Sequence, residues 1–544
     1  MSWNIPETPP GEAEEYRRLG VWNDRLLVDY LDEHAGRVPG RTAFIDSRGR
    51  IDYATLQSAS YRMADGLHRN GLRRGEVVAV QLPNWIEFAV LHMALVRLGA
   101  VTCPITPISR ERDVAMMLKA AQARRLVVTN VFRGFDYARM AGGVFAAEDC
   151  IVVGDALPGM RSWSEVLESG GDDAETRRRI DAMRPDADAV AELVFTSGTT
   201  GVPKGILHTH NTLLAPQLAM ARSLRLAEAD VLHMASTVGH QTGFLNGIRL
   251  PVQIGGTAVL QDVWDPTVFA MLAARHRIQV SSGSATYLLD LLRASAMDDY
   301  DLSSLRIFRC GGGPIPIALV REAEQRLPGL KVLRGWGQTE NGVVSLSRLD
   351  DSQAVRAETD GLVQPGMQAK VLGSDGALAS PGAEGRLLVR GAFMSPAYVG
   401  AAGPQAHDRV DGWFDTGDLA VMDRHGYVRI TGRLKDIIIR GGENIPVHYI
   451  ENVLYEDPRI LEAVVVGIPD PRLGERCCAV VICRPDERLD LGQLKAFLAT
   501  RGVARQYWPE RLCVVDTLPR SANGKVQKAA LRAMLVAQAS PEQP

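Results

Sequence analysis

The 544-residue sequence has no apolar run long enough to cross a membrane. Its longest extends only from Ala89 to Val96 with His92 inside, against the roughly 20 residues a spanning helix needs. An excess of either charge is also missing. Sixty-one Lys and Arg against 64 Asp and Glu give a net charge of −3, which excludes a strongly basic nucleic-acid footprint over the whole chain. Paired C-x-x-C motifs are absent. The seven cysteines (Cys103, Cys150, Cys310, Cys477, Cys478, Cys483 and Cys513) are odd in number and suit no zinc site, so reduced thiols are expected. The first residues, MSWNIPETPPGEAEEYRRLG, carry acids where a signal peptide needs an apolar stretch, and a cytoplasmic location is expected. No solenoid repeat is present. What remains is 46% hydrophobic and 23% charged, too apolar for a disordered chain and long enough for several compact units.

Short apolar runs alternate with amphipathic stretches. Glu76–Leu82 reads as a buried strand stopped by Pro83, with Asn84 as cap of a helix to Arg97 and Gly99 as its stop. Arg125–Asn130 and Arg306–Cys310 repeat the strand-and-turn pattern. Strands separated by helical stretches predict an α/β fold with parallel-rich sheets covered by helices. A boundary falls near residue 433, after the Gly- and Asp-rich passage Asp411–Asp418 and the tight turn Asp423–Gly426. Beyond it, a helix Val447–Tyr455, strands Glu462–Gly467 and Cys477–Cys483, and a helix Leu491–Arg501 predict a small α+β unit.

The densest chemical signal is Thr196-Ser197-Gly198-Thr199-Thr200-Gly201-Val-Pro-Lys204-Gly205, directly after the apolar Leu193-Val194-Phe195. Its glycines let backbone N–H groups converge, its hydroxyls add donors and Lys204 adds a charge, which together suit a triphosphate. It is not a Walker A loop, because no Gly-Lys-Ser/Thr closes it. With Cys310-Gly-Gly-Gly-Pro314, Gly335-Trp-Gly-Gln-Thr-Glu340, Trp413-Phe-Asp-Thr-Gly-Asp418, Gly432-Arg-Leu-Lys-Asp436 and Pro519-Arg-Ser-Ala-Asn-Gly-Lys525 following in order, the chain resembles the adenylate-forming superfamily of acyl- and aryl-CoA synthetases, adenylation domains and luciferases. The resemblance runs from about residue 20 to 535.

That resemblance implies a large N-terminal domain of parallel-rich sheets sandwiched by helices (1–432), a hinge (433–436) and a small mobile α+β C-terminal domain (437–544). It places Gly311, Gly312, Gly313 and Pro314 beside adenine, with Trp336 stacking on the base where tyrosine is commoner, and with Gly337 and Gln338 following. Thr339 would meet the α-phosphate, Glu340 would hold Mg²⁺, and Asp418 and Arg433 would bind the ribose or phosphate. Lys525 would be the catalytic lysine and Lys435 the pivot, and Gly441 and Gly442 would line the thiol tunnel. The altered stretch Asn444-Ile-Pro-Val-His-Tyr-Ile-Glu451 puts the local helix in question. His240, Gln241, Asn246, Ser284, Gly311 and Trp336 would line the acyl pocket.

The implied activity is an ATP-dependent ligation of a carboxylic acid to CoA through an acyl-AMP. Pocket details resemble cyclohexanecarboxylate-CoA ligases, pointing to a cyclic or medium-chain apolar acid. The rival is an aryl or acyl adenylation enzyme loading the pantetheine arm of an acyl carrier protein. ATP, Mg²⁺ and CoA are the implied cofactor and co-substrates, with no nucleic acid and no membrane span; monomer and homodimer both stay open. A non-catalytic nucleotide sensor would be expected to lack Lys525 or Glu340, and both are present.

Overall fold

The computed structural model describes residues 3, 5–196, 204–313, 315–400, 403–434, 437–440, 443–521 and 526–539. Ser197, Gly198, Thr199, Thr200, Gly201, Pro314, Lys435, Gly441, Gly442 and Lys525 lie outside them.

Two nine-stranded sheets form the body. In one, the parallel strands Thr42–Ile45, Thr257–Leu260, Val231–Met234, Val280–Gly283, Ile307–Cys310 and Lys331–Gln338 lie side by side, with antiparallel strands at both edges. The other runs parallel through Val190–Thr196, Val101–Pro104, Val77–Gln81, Arg125–Thr129 and Cys150–Val153. Helices Tyr53–Arg69 and Ile86–Leu98 lie between them, in a core that takes Val80 and Val127 from one sheet and Phe44 and Leu260 from the other. That position explains why Phe88 to Leu98 are all buried; a helix covered on every side has no polar face to keep.

The predicted strand, helix and stop between residues 76 and 99 are present as Val77–Gln81, Ile86–Leu98 and a left-handed Gly99 (φ +64°). Asn84 differs from its expected role. The cap position is Trp85, while Asn84 is 1% exposed and joins three carbonyl and amide groups elsewhere. Its Nδ2 donates to Ser236 O and Gln261 O, both at 3.0 Å, and its Oδ1 accepts from Val238 N at 2.8 Å. A buried amide with both donors and its oxygen engaged outweighs a cap at a helix end.

A five-stranded antiparallel sheet follows, containing Met367–Leu372, Glu384–Gly391, Trp413–Met422 and Val428–Arg433, the last two joined by the expected turn at Gly426. The smaller C-terminal domain is built on another five-stranded sheet. Its strands Ile460–Asp470 and Gly474–Cys483 pair antiparallel in a tight hairpin, longer than the sequence suggested. Helices Val447–Leu454 and Leu491–Thr500 stand where predicted. All seven cysteines are free. No helix among the described residues is long and apolar enough to cross a membrane.

The altered segment before Glu451 does not disturb its helix. Tyr449 is exposed, whereas Glu451 is 4% exposed and accepts from Val465 N (2.8 Å), Lys528 Nζ (2.7 Å) and His448 Nδ1 (3.0 Å). Burial pushes this carboxyl up, but Lys528 and His448 outweigh it and hold it at about 2. A carboxyl depressed from its unfolded value stabilises the fold above that value and loses its contribution as the pH falls through the folded one. We therefore expect the C-terminal domain to lose roughly 3 kcal/mol between about pH 4.5 and pH 2 from this group. Urea unfolding of wild type and Glu451→Gln across that range checks it; an equal acid slope in both would refute the assignment.

Candidate functional site

The antiparallel pair Val190–Thr196 and Lys204–Thr209 frames the phosphate loop, with Thr196 opposite Lys204 and its Oγ1 3.3 Å from Lys204 O. Lys204 Nζ lies 3.6 Å from the centroid of Tyr398, a cation–π seat that fixes the ammonium at the start of its strand. Four residues on, buried His208 reaches across to the Gln338–Gly342 turn, its Nε2 at 2.7 Å from Thr339 O. Burial pushes His208 down to about 4, so it is neutral at pH 7 and carries its proton on Nε2 to donate to that carbonyl. Ser395 N donates to Glu340 O at 2.8 Å, and Ser395 Oγ bonds Leu207 O at 2.8 Å. The turn holding Thr339 and Glu340 is thus tied to the loop-bearing strand from two sides.

Asp418 is the second centre. It stands in Trp413–Met422 opposite Arg433 of Val428–Arg433 and is 2% exposed. Its Oδ2 accepts from Trp336 Nε1 at 2.8 Å and from Gln338 Nε2 at 3.2 Å. Gln338 Nε2 also lies 2.8 Å from Thr416 O. Arg433 Nε is 2.9 Å from Oδ1; the N–H is not aimed along that line, so Oδ1 is an ion-pair partner that accepts no hydrogen bond from a described residue. A buried carboxylate oxygen with an open lone pair suits a hydroxyl donor such as a ribose. The glycines around it have physical reasons. Gly312 is at φ +86°, and a Cβ on Gly337 would lie 1.7 Å from Gly342 O, so neither position admits a side chain. A Cβ on Gly313 would meet open space.

Glu340 is partly buried, and no described residue gives its carboxylate a hydrogen bond or ion pair. No group of three or more metal-binding side chains exists among the described residues. One free carboxylate fits Mg²⁺, which keeps waters and takes its other oxygens from phosphates.

The acyl-pocket candidates start at His240, whose Nδ1 accepts from Thr242 N at 3.3 Å and caps the turn Gln241–Phe244. Ser284 begins the helix Ala285–Arg293, its Oγ buried without a partner. Asn246 Nδ2 donates to Thr242 O at 2.7 Å while its Oδ1 accepts nothing. Gly311 packs against Gly335 O. Both ends of the Gln241 amide are engaged by buried charged side chains. Its Nε2 donates to Glu192 Oε1 at 3.0 Å and its Oε1 accepts from Arg249, which also pairs with Glu192. Burial pushes the Glu192 carboxyl up to about 7 against the pull of Arg249. Sequence reasoning passed over Glu192, Arg249, His208 and Tyr398. The available signal was a charge inside an apolar run, as in Val190-Ala-Glu-Leu-Val194.

The C-terminal domain meets this region through Arg520, whose Nη1 donates to Thr286 Oγ1 at 3.0 Å and which also pairs with Glu462. Thr286 is two residues from Ser284, and Arg520 forms a bridge with Val526, the residue after Lys525.

The family model for AMP-binding enzymes matches residues 31–399, and that for the AMP-binding enzyme C-terminal domain matches 449–525. The chain is 36% identical over 528 residues to the medium-chain fatty-acid–CoA ligase of Escherichia coli (strain K12), covering 95% of this chain and 92% of that one. It is 32% identical over 539 residues to the salicyl-AMP ligase/salicyl-S-ArCP synthetase of Mycobacterium tuberculosis, covering 96% and 93%. ATP-bound MatB from Rhodopseudomonas palustris superposes with a TM-score of 0.82 at 25% identity, covering 95% of this chain and 100% of that one.

Proposed function

The chain belongs to the AMP-binding enzyme family, and on that premise we propose that it is an ATP-dependent carboxylic acid–CoA ligase whose acid has an apolar cyclic or medium-chain body. The observation that carries the reading is the convergence of Trp336, Gln338 and Arg433 on Asp418 with Oδ1 left open. The similarity to a medium-chain fatty-acid–CoA ligase supports the acid class.

In the first half-reaction a carboxylate oxygen attacks the α-phosphorus of ATP, the bond to pyrophosphate breaks, and acyl-AMP forms. Such displacements need alignment and charge neutralisation above all. Thr196 to Gly201 and Lys204 cradle the leaving phosphates, Thr339 meets the α-phosphate, and Gly311 to Pro314 with Trp336 and Gly337 bracket adenine. Asp418 and Arg433 hold the ribose. Glu340 would bind Mg²⁺, which supplies charge neutralisation on the phosphate oxygens. Lys525 bridges carboxylate and α-phosphate, and the contact of Arg520 with Thr286 supports a seat for it beside the pocket. Rotation about Lys435 then brings Gly441 and Gly442 to the tunnel. The thiolate sulfur attacks the acyl carbon, the bond to AMP breaks, and the thioester leaves.

The test is pyrophosphate and AMP release over a panel of alicyclic, aromatic and straight-chain acids, with CoA or a phosphopantetheinyl carrier protein as acceptor. Preference for the carrier would favour the loading reading, which the similarity to a salicyl-S-ArCP synthetase supports. ATP turnover with no acid would overturn both. Within that assay, Asp418→Ala is expected to lower kcat/KM for ATP by roughly 10- to 100-fold, as loss of charge-assisted hydrogen bonds does. An unchanged value would remove Asp418 from the ribose.

A further inference from the structure

Six arginines are buried among the described residues: Arg97, Arg125, Arg249, Arg309, Arg334 and Arg356. Five pair with carboxylates, namely Asp32, Asp149, Glu192, Asp360 and Glu324 respectively. Arg309 has no hydrogen bond or ion pair with any described residue, and its Nε is enclosed without an acceptor. It is 8% exposed. Burial pulls its pKa down to about 10, so it stays charged at neutral pH. A buried charge without a counter-ion is costly, and no described residue supplies one here.

Sheet register shows where Arg309 points. Met234, Ser282, Arg309 and Leu333 form one row across parallel strands, and residues in such a row share a face. Leu333 and Ile307, on that face, belong to an apolar cluster with Leu245, Leu250 and Val343. A Cβ on Gly247 would lie 2.9 Å from Met234 Cγ, so the helical segment 241–254 covers the row. Arg309 therefore enters the space under the segment that carries Gln241 and Asn246. Gln217 supplies a second, independent sign. It is fully buried, and neither amide end has a hydrogen-bond partner among the described residues. On its helix, His210–Ser223, it shares a face with Met220, Ala221 and Leu224, which belong to the same apolar cluster.

We propose that the acid is dicarboxylic: one carboxylate is activated at the nucleotide while the second, across an apolar spacer, is received by the Arg309 guanidinium. This rests on the ligase reading above and names its substrate. A carboxylate satisfies the planar fork bidentately and keeps lone pairs for the Gln217 amide. A neutral chain end would leave the guanidinium charged and alone. The second carboxylate passes unchanged into an ω-carboxyacyl thioester. Cyclohexanecarboxylate is then a poorer substrate than a cyclohexanedicarboxylate.

The experiment measures kcat/KM for pyrophosphate release with octanoate against suberate and with cyclohexanecarboxylate against cyclohexanedicarboxylate, in wild type and Arg309→Leu. Wild type is expected to favour the dicarboxylate by roughly 10- to 100-fold, the value of charge-assisted hydrogen bonds, and Arg309→Leu to abolish or invert that ratio. Preference of wild type for the monocarboxylate in both pairs overturns the proposal. So does an unchanged ratio in the variant. Binding of the same acids to wild type is read by calorimetry, which does not need turnover or a folded variant. Equal binding of both classes also overturns it, whereas tight dicarboxylate binding with no pyrophosphate release overturns the ligase reading alone.

Discussion

With Lys525 replaced by alanine, acyl-adenylate formation is expected to fall by roughly 10²- to 10³-fold, the scale of losing a group aimed at developing charge, while thioester formation from supplied acyl-adenylate stays within a few-fold of wild type. The asymmetry follows from placement. Lys525 lies in the short segment between the bridge partners Arg520 and Val526, and Arg520 is bonded to Thr286 beside the pocket. On the proposed mechanism the Lys525 ammonium neutralises charge that builds while the carboxylate attacks phosphorus, and that charge has left with pyrophosphate before the thiol attacks. On the same proposal the second half uses Gly441 and Gly442 instead. Isotope exchange between pyrophosphate and ATP reads the first half, and thioester formation from synthetic acyl-AMP reads the second. Equal loss in both would show that the two halves share Lys525 and would discard domain alternation. A companion variant, Arg520→Ala, separates placement from chemistry. It keeps the ammonium, so it should lower the first half less than Lys525→Ala and leave the second untouched.

Local punctuation made much of this molecule legible. Gly99, Pro83 and Gly426 end elements through backbone geometry that depends on one or two residues, so they can be read without knowing the fold. The strings that hold Trp336, Gln338 and Asp418 were readable for another reason: their order and spacing repeat a known pattern, and the fold brings these three side chains together. What escaped depends on partners far away in the chain. Asn84 looked like a cap because its three real partners lie more than 150 positions downstream. Glu192 and Arg309 were absorbed into apolar strand patterns, since a single charge barely alters the pattern of a buried run. Only the register and the helix laid over it show that one has Arg249 opposite and the other has no partner among the described residues. Gln241 shows the same limit from the other side, because its string does not reveal that both ends of its amide bond Glu192 and Arg249.

Replacing Arg249 by methionine is expected to destabilise the large domain by about 3–5 kcal/mol, the cost of leaving one member of a buried ion pair alone. Glu192 and Arg249 have side chains 0% and 1% exposed, so water cannot take over. Desolvation already pushes the Glu192 carboxyl up to about 7, and Arg249 provides the opposing pull. Without it the carboxyl rises further and stays protonated in the fold at neutral pH. The sign of the pH dependence follows. Where the folded chain holds a proton that the unfolded chain has released, stability falls as pH rises. The variant should therefore lose stability from about pH 4.5 upward as wild type does, and keep losing it above about pH 7, where the wild-type contribution levels off. Adding Glu192→Leu removes the stranded carboxyl, and the double variant should recover most of the loss and the added slope, as apolar replacement of a buried pair commonly does. It should not recover substrate affinity. Gln241 is fastened by both members of the pair, and the segment from His240 to Asn246, proposed above to face the acid, hangs on it; KM for the acid is expected to stay raised in the double variant while KM for ATP does not. Urea midpoints near pH 5 and pH 8, with the two KM values, read both parts. If the single variant matches the double in midpoint at both pH values, Glu192 is not stranded by the loss of Arg249, and the pair is not what holds the floor of the acid pocket.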